Sequence, residues 1–192
     1  MKTSAKDDPV RADIVRAAET VFRRWGLSKT TMEDIAREAG KGKSTLYYYF
    51  QSKDDILEAM AQYELDRIIG LAREMIAGKK TAKEQLLAYV LTIFQEIREL
   101  MTPLNFERDL ASVRAVIDRV GDKFIVLNEK VVEPILRSGL ERGEFRSIQM
   151  EDLKITTQAI GGVIKSLAFN LFFDSRDKSL IDPIIRLMSE GL

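Results

Sequence analysis

The sequence predicts an all-α protein of about nine helices, split into a small three-helix domain over residues 1–53 and a larger helical domain over 54–192. Three observations carry this. Apolar residues recur at spacings of three and four nearly throughout. Breaks at Gly78-Lys79-Lys80, Pro103, Gly121, Gly143 and Asp174–Asp177 fall at helix-length intervals. No stretch alternates with the period of two that a half-buried strand requires.

The elements follow in order. Val10, Ile14, Ala17, Ala18, Val21, Phe22 and Trp25 make one amphipathic face over about 9–25, with Pro9 suited to its first turn and Gly26 to its stop. Thr30 with Glu33 is expected to form a capping box for a second helix that buries Met32, Ile35, Ala36 and Ala39 and ends at Gly40. A few residues later Ser44–Phe50 gives about two turns. Ser52 caps a long fourth helix, with Asp54 and Asp55 in the first turn where the helix dipole favours them. Its apolar positions run from Ile56 to Ile76. Further helices are expected at about 82–101, 104–119, 122–142, 150–173 and 178–190, with Pro134 kinking one or marking a boundary.

Composition narrows the function. The chain has 192 residues and neither cysteine nor histidine. Disulfides, Cys/His zinc sites and Ser-His-Asp or Cys-His nucleophiles are therefore excluded. The adjacent pairs Asp54-Asp55 and Glu151-Asp152 do not face each other on a helix, so no enzyme and no cofactor are expected. No apolar run reaches the roughly 18–20 residues of a membrane span. The N-terminus shows no signal peptide, so a cytoplasmic location is expected. Net charge is zero, but eleven basic residues face seven acids through Lys53, leaving the N-terminal part at +4 and the remainder at −4. That sign suits an N-terminal nucleic-acid module.

Residues 40–50, Gly-Lys-Gly-Lys-Ser-Thr-Leu-Tyr-Tyr-Tyr-Phe, are the most informative run. On a helical wheel Leu46, Tyr49 and Phe50 share the inward face. Ser44, Thr45 and Tyr48 point outward, Tyr47 sits on the flank, and Lys43 leads. Three adjacent aromatics cannot all be core, and a lysine with small hydroxyls suits a polyanionic surface. A short helix, a Gly-containing turn and a second short helix make a helix-turn-helix, whose second helix enters the major groove by its N-terminal residues. Gly42-Lys43-Ser44-Thr45 mimics the end of a phosphate-binding loop. That motif needs a glycine where Arg37 stands and a preceding strand where a helix is expected.

From about Arg11 to Met60 the chain resembles the DNA-binding domain of the tetracycline-repressor (TetR) family. The resemblance rests on Ile14-Val15-Arg16-Ala17-Ala18 with Phe22, Gly26-Leu27, Thr30–Ala36, Ala39-Gly40, Ser44–Phe50 and Ser52-Lys53. Tyr49 stands where the family commonly has His or Asn. The resemblance implies a homodimeric transcriptional regulator, expected to be a repressor, that binds a palindromic double-stranded operator and is released by a small molecule. It implies phosphate contacts from Thr31, Lys53 and Lys41, and a major-groove face of Lys43, Ser44 and Thr45, with Thr45 and Lys43 nearest base edges. Tyr47 and Tyr48 would brace against the backbone or a thymine methyl.

The resemblance also places an effector pocket and the dimer interface in the second domain. Pocket candidates are Met60, Tyr63, Phe94, Met101, Phe106 and Phe124, with Arg98 for polar selectivity; their character points to a hydrophobic or amphipathic ligand. Dimer candidates are Ile160, Gly161, Ile164, Leu167 and Leu171, with Ile184 and Met188 on the last helix, forming a four-helix interface across a two-fold axis. The two adjacent glycines would cost about 1 kcal/mol each in a helix unless another backbone comes close. The alternative is a helical interaction or scaffold protein without DNA binding.

Overall fold

The computed structural model describes residues 8–101 and 110–173. Asp8 caps α1 (Pro9–Trp25) by accepting a 2.9 Å hydrogen bond from the Val10 amide, and Gly26 ends it with φ at 81°. Then come α2 (Met32–Glu38), α3 (Lys43–Tyr49), α4 (Lys53–Ile76), α5 (Ala82–Met101) and α6 (Leu110–Glu141). A 3-10 turn at Met150–Asp152 leads into α7 (Leu153–Phe173). Among the described residues all regular structure is helical, and no helix is long and apolar enough to cross a membrane.

The chain forms two compact units. The first comprises Met1–Glu64 with Pro103–Val120, the second Leu65–Thr102 with Gly121–Leu192. In the first, Ile14, Ala18, Val21, Ile35, Leu46 and Ile56 are buried, with α1 packed on α2 and α2 on α3. In the second, Tyr89, Ile93, Val132 and Leu136 are buried, and α5 packs on α7.

Two expectations need correction. The capping box of α2 is one residue later than expected. Thr31 is the N-cap, its Oγ1 accepting from the Asp34 amide at 3.1 Å while Asp34 Oδ2 accepts from the Thr31 amide at 3.0 Å. Thr30 is instead buried, and its hydroxyl donates to the Gly26 carbonyl at 2.7 Å. Gly121 does not end a helix, because α6 runs through it. A Cβ at Gly121 would lie 2.6 Å from Lys165 Cε, so glycine makes room for a side chain from α7. Of the two placements expected for Pro134, it takes the one inside a helix, within α6, where it leaves the carbonyl one turn earlier without its helical donor. The start of the helix expected at about 104 and the whole of that at about 178–190 lie outside the described residues.

The two glycines of α7 differ. Gly161 is buried against Asn128 of α6, and an added Cβ would meet Asn128 Nδ2 at 2.8 Å. At Gly162 a Cβ would meet nothing within 4 Å. Gly161→Ala should therefore lower stability by about 1–3 kcal/mol despite alanine's better helix propensity, because the buried amide must move. Urea unfolding of the variant against the parent checks this.

Candidate nucleic-acid interface

A seven-residue helix has too few internal hydrogen bonds to stand alone in water. The reading helix α3 is held from beneath instead. Leu46 is fully buried and Phe50 nearly so, as the wheel predicts. The Arg11 guanidinium of α1 lies 4.8 Å from the centre of the Phe50 ring. The Tyr49 hydroxyl donates to Asp8 Oδ2 at 2.8 Å. Asp8 thus joins the start of α1 to the end of α3, and this hydroxyl holds its carboxyl below the usual carboxylate range. Tyr49 is half-buried, and Tyr48 meets it edge-on with ring centres 5.0 Å apart.

The outward face carries the chemistry. Tyr48 is 81% exposed, Ser44 and Lys43 are exposed, and Thr45 and Tyr47 are half-buried. The backbone turn between α2 and α3 depends on Gly40, at φ 62°. Gly42 is the N-cap of α3, and no side chain hydrogen-bonds the cap.

The cations around this face are matched to internal acceptors. The Lys43 ammonium pairs with the Glu33 carboxylate of α2 and lies 5.8 Å from the centre of the Tyr47 ring. The hydrogen bond raises the lysine's pKa and lowers the glutamate's. Lys41 lies 4.0 Å from Asp13 Oδ2. Lys53 Nζ donates to the Leu27 carbonyl at 2.7 Å, tying the start of α4 to the turn after α1. Ser52 and Asp55 close a reciprocal cap at that helix start, the Asp55 amide bonding Ser52 Oγ at 3.1 Å and the Ser52 amide Asp55 Oδ2 at 3.0 Å. Thr31 is exposed, its hydroxyl donating to Asp34 Oδ2 at 2.7 Å. Sequence reasoning named Lys43 and missed Glu33. The two are ten positions apart, and only the turn between α2 and α3 brings them together.

The other candidates are dispersed. Phe94 and Phe124 are buried in the second unit, and Arg98 is exposed on α5. Met60 and Tyr63 are half-buried in the first unit, where the Tyr63 hydroxyl accepts from Arg11 Nη1 at 3.2 Å. Gly161 and Ile164, expected at a dimer interface, are buried within the protomer, while Ile160 and Leu167 are half-buried. Phe106, Ile184 and Met188, and the side chains of Met101 and Leu171, lie outside the described residues. Among the described residues no three carboxylates cluster as a metal site.

The family model described as bacterial regulatory proteins, tetR family, matches residues 14–60, which run from the core of α1 through the reading helix into α4. Residues 14–60 are a TetR-family domain. The likeness continues beyond the domain. The fatty acid metabolism regulator protein of Bacillus subtilis is 23% identical over 192 residues, covering 96% of each chain. The HTH-type transcriptional repressor KstR2 of Rhodococcus jostii is 29% identical over 143 residues, 71% of this chain and 68% of that one. The solved structure of the fatty acid degradation regulator FadR from Bacillus halodurans superposes with a TM-score of 0.62 at 22% identity, covering 97% of both chains. FadR from Bacillus subtilis, solved in complex with stearoyl-CoA, gives 0.61 at 23% identity, covering 94% of this chain and 98% of that one. The fold of these solved regulators therefore spans both units. The two curated relatives are named as a metabolism regulator and a transcriptional repressor.

In this TetR-family domain Lys53 tethers the Leu27 carbonyl, and its remaining donors are the ones expected to meet a DNA phosphate. Lys53→Ala should weaken binding to operator and non-operator DNA alike and flatten the salt dependence. It should also lower the melting temperature through the lost tether. Binding titrations at several salt concentrations beside a thermal melt check both, and an unchanged salt slope rules out the phosphate role.

Proposed function

We propose that this regulator is a homodimeric repressor that binds a palindromic operator through α3 and leaves it when an apolar effector occupies the second unit. The observation that carries the reading is α3 itself, anchored by Leu46 and Phe50 with Lys43, Ser44 and Tyr48 turned out. Two such helices enter successive major grooves when a dimer sets them about 34–36 Å apart.

A face of α7 supports the dimer. Ile155 is 67% exposed and Val163 57%, and with Ala159, Gly162 and Ser166, also exposed, they lie on one side of the helix. Small and apolar residues at that spacing suit a close helix–helix contact across a two-fold axis. This face replaces the one expected at Gly161 and Ile164, which the protomer uses for its own core.

The second unit offers an effector both apolar surface and polar anchors. Phe94, Phe124 and Ile93 are buried there, and so are two polar side chains without a hydrogen-bond partner. These are the Tyr89 hydroxyl and both amide atoms of Asn128. Burial pushes the Tyr89 hydroxyl's pKa up, so it stays protonated and able to donate. An orphaned buried polar atom costs about 1–3 kcal/mol, which a ligand can recover. The stearoyl-CoA bound by the Bacillus subtilis relative makes a long fatty-acyl compound the class to test first. For transmission, Arg119 Nε of α6 donates to Glu58 Oε2 of α4 at 2.7 Å within the first unit. Both helices also contribute residues to the second unit.

Sedimentation of the purified protein should give a dimer, and a gel shift on DNA selected from a random library should be abolished by stearoyl-CoA. A monomeric mass, or a shift indifferent to acyl-CoA of every chain length, would sink the corresponding part of the proposal. Asn128→Leu should keep operator affinity and stability while raising the effector concentration needed for release by roughly tenfold. Equal sensitivity to effector in variant and parent removes Asn128 from the site.

A further inference from the structure

The pairing of Lys43 with Glu33 has a consequence for base recognition. Glu33 is the second residue of α2 and Lys43 the first of α3, so the ion pair bridges the opening turns of both helices of the helix-turn-helix. Both side chains are more than half exposed. Thr31 and Asp34 cap α2 by themselves, and the Glu33 carboxylate bonds Lys43 and its own amide. The first turn of the second helix is the part that meets base edges in this motif.

We propose that Glu33 and Lys43 act as one unit that reads a single G·C base pair in each operator half-site. The inference rests on the reading that α3 enters the major groove. In that groove guanine presents two acceptors, N7 and O6, and cytosine beside it presents the N4 amino donor. A lysine ammonium donates to the guanine pair of acceptors, and a carboxylate held next to it accepts from the cytosine amine. The ion pair is thus complementary in order to a G·C edge. An A·T edge interleaves the adenine amine between two acceptors and ends in the thymine methyl. It would leave the carboxylate facing the O4 acceptor or the methyl, desolvated and unpaired.

The same pair penalises the wrong DNA. On a non-operator sequence the phosphates must draw Lys43 away from Glu33, and the carboxylate itself repels them. Glu33 is in this sense a specificity-determining residue whose charge opposes general affinity.

The test uses the full-length protein and its operator, obtained by selection from random DNA. Each G·C pair of the half-site is changed symmetrically to A·T, and affinity is measured for the parent, Glu33→Gln, Lys43→Met and Thr45→Ala. Glu38→Gln serves as a control, since it removes the same charge from the same helix at a residue paired with Arg24. One position should cost the parent on the order of ten- to a hundredfold. In Glu33→Gln and Lys43→Met that cost should shrink to a few-fold, and Glu33→Gln should bind non-operator DNA more tightly than the parent. Glu38→Gln should leave the base preference intact.

If Glu33→Gln keeps the parental preference at every position while Lys43→Met or Thr45→Ala does not, the Glu33 assignment is wrong and α3 still reads the groove. If none of the three variants changes any preference, the placement of α3 fails and the proposal falls with it. Circular dichroism confirms that each variant retains its helices.

Discussion

The face proposed to read DNA depends on the burial of two side chains, Leu46 and Phe50, beneath a helix too short to persist alone. Seven residues close few backbone hydrogen bonds, so nearly all of the stability of α3 comes from its apolar face. Every outward group on α3 is aimed by that docking. Arg11 over the Phe50 ring and Asp8 on the Tyr49 hydroxyl add polar links from α1. The recognition surface is therefore a property of the three-helix unit as a whole.

Electrostatics on this surface follow a consistent plan. Lys43, Lys41 and Lys53 each have an acceptor inside the protein, respectively Glu33, Asp13 and the Leu27 carbonyl. The exposed ion pairs of Lys43 and Lys41 add little to stability. Their weight lies in what DNA must displace or match. A regulator that must ignore most of a genome gains from cations already engaged, because general phosphate attraction is weakened while a matching base edge can satisfy both members of a pair. The modest N-terminal charge of +4 fits a surface designed for discrimination over sheer attraction.

The second unit shows a different economy. Its interior keeps Tyr89 and Asn128 buried with polar atoms unmatched, and Gly161 yields its side chain to accommodate the Asn128 amide. A core selected for stability alone would replace these with apolar groups. The retention of an unpaired amide against a glycine is the feature of this unit that favours a ligand role over simple packing.

Helical periodicity, the terminal glycines Gly26 and Gly78, and the outward Ser44 and Tyr48 were all readable from residue order, because they depend on neighbours within one or two turns. The shift of the α2 cap from Thr30 to Thr31 was not, since it hinges on Thr30 finding the Gly26 carbonyl and being buried. Nor was the continuity of α6 through Gly121, because the Lys165 side chain that needs the space lies on α7. The pairing of Glu33 with Lys43 and the inward turn of Gly161 toward Asn128 belong to the same class. The sequence by itself determined an all-α chain with a helix-turn-helix and named the reading helix, since local periodicity suffices for that. Only the tertiary structure decided which acids answer the reading lysine, which glycine makes room for a neighbour, and which polar groups are left buried, because each depends on side chains brought together by packing.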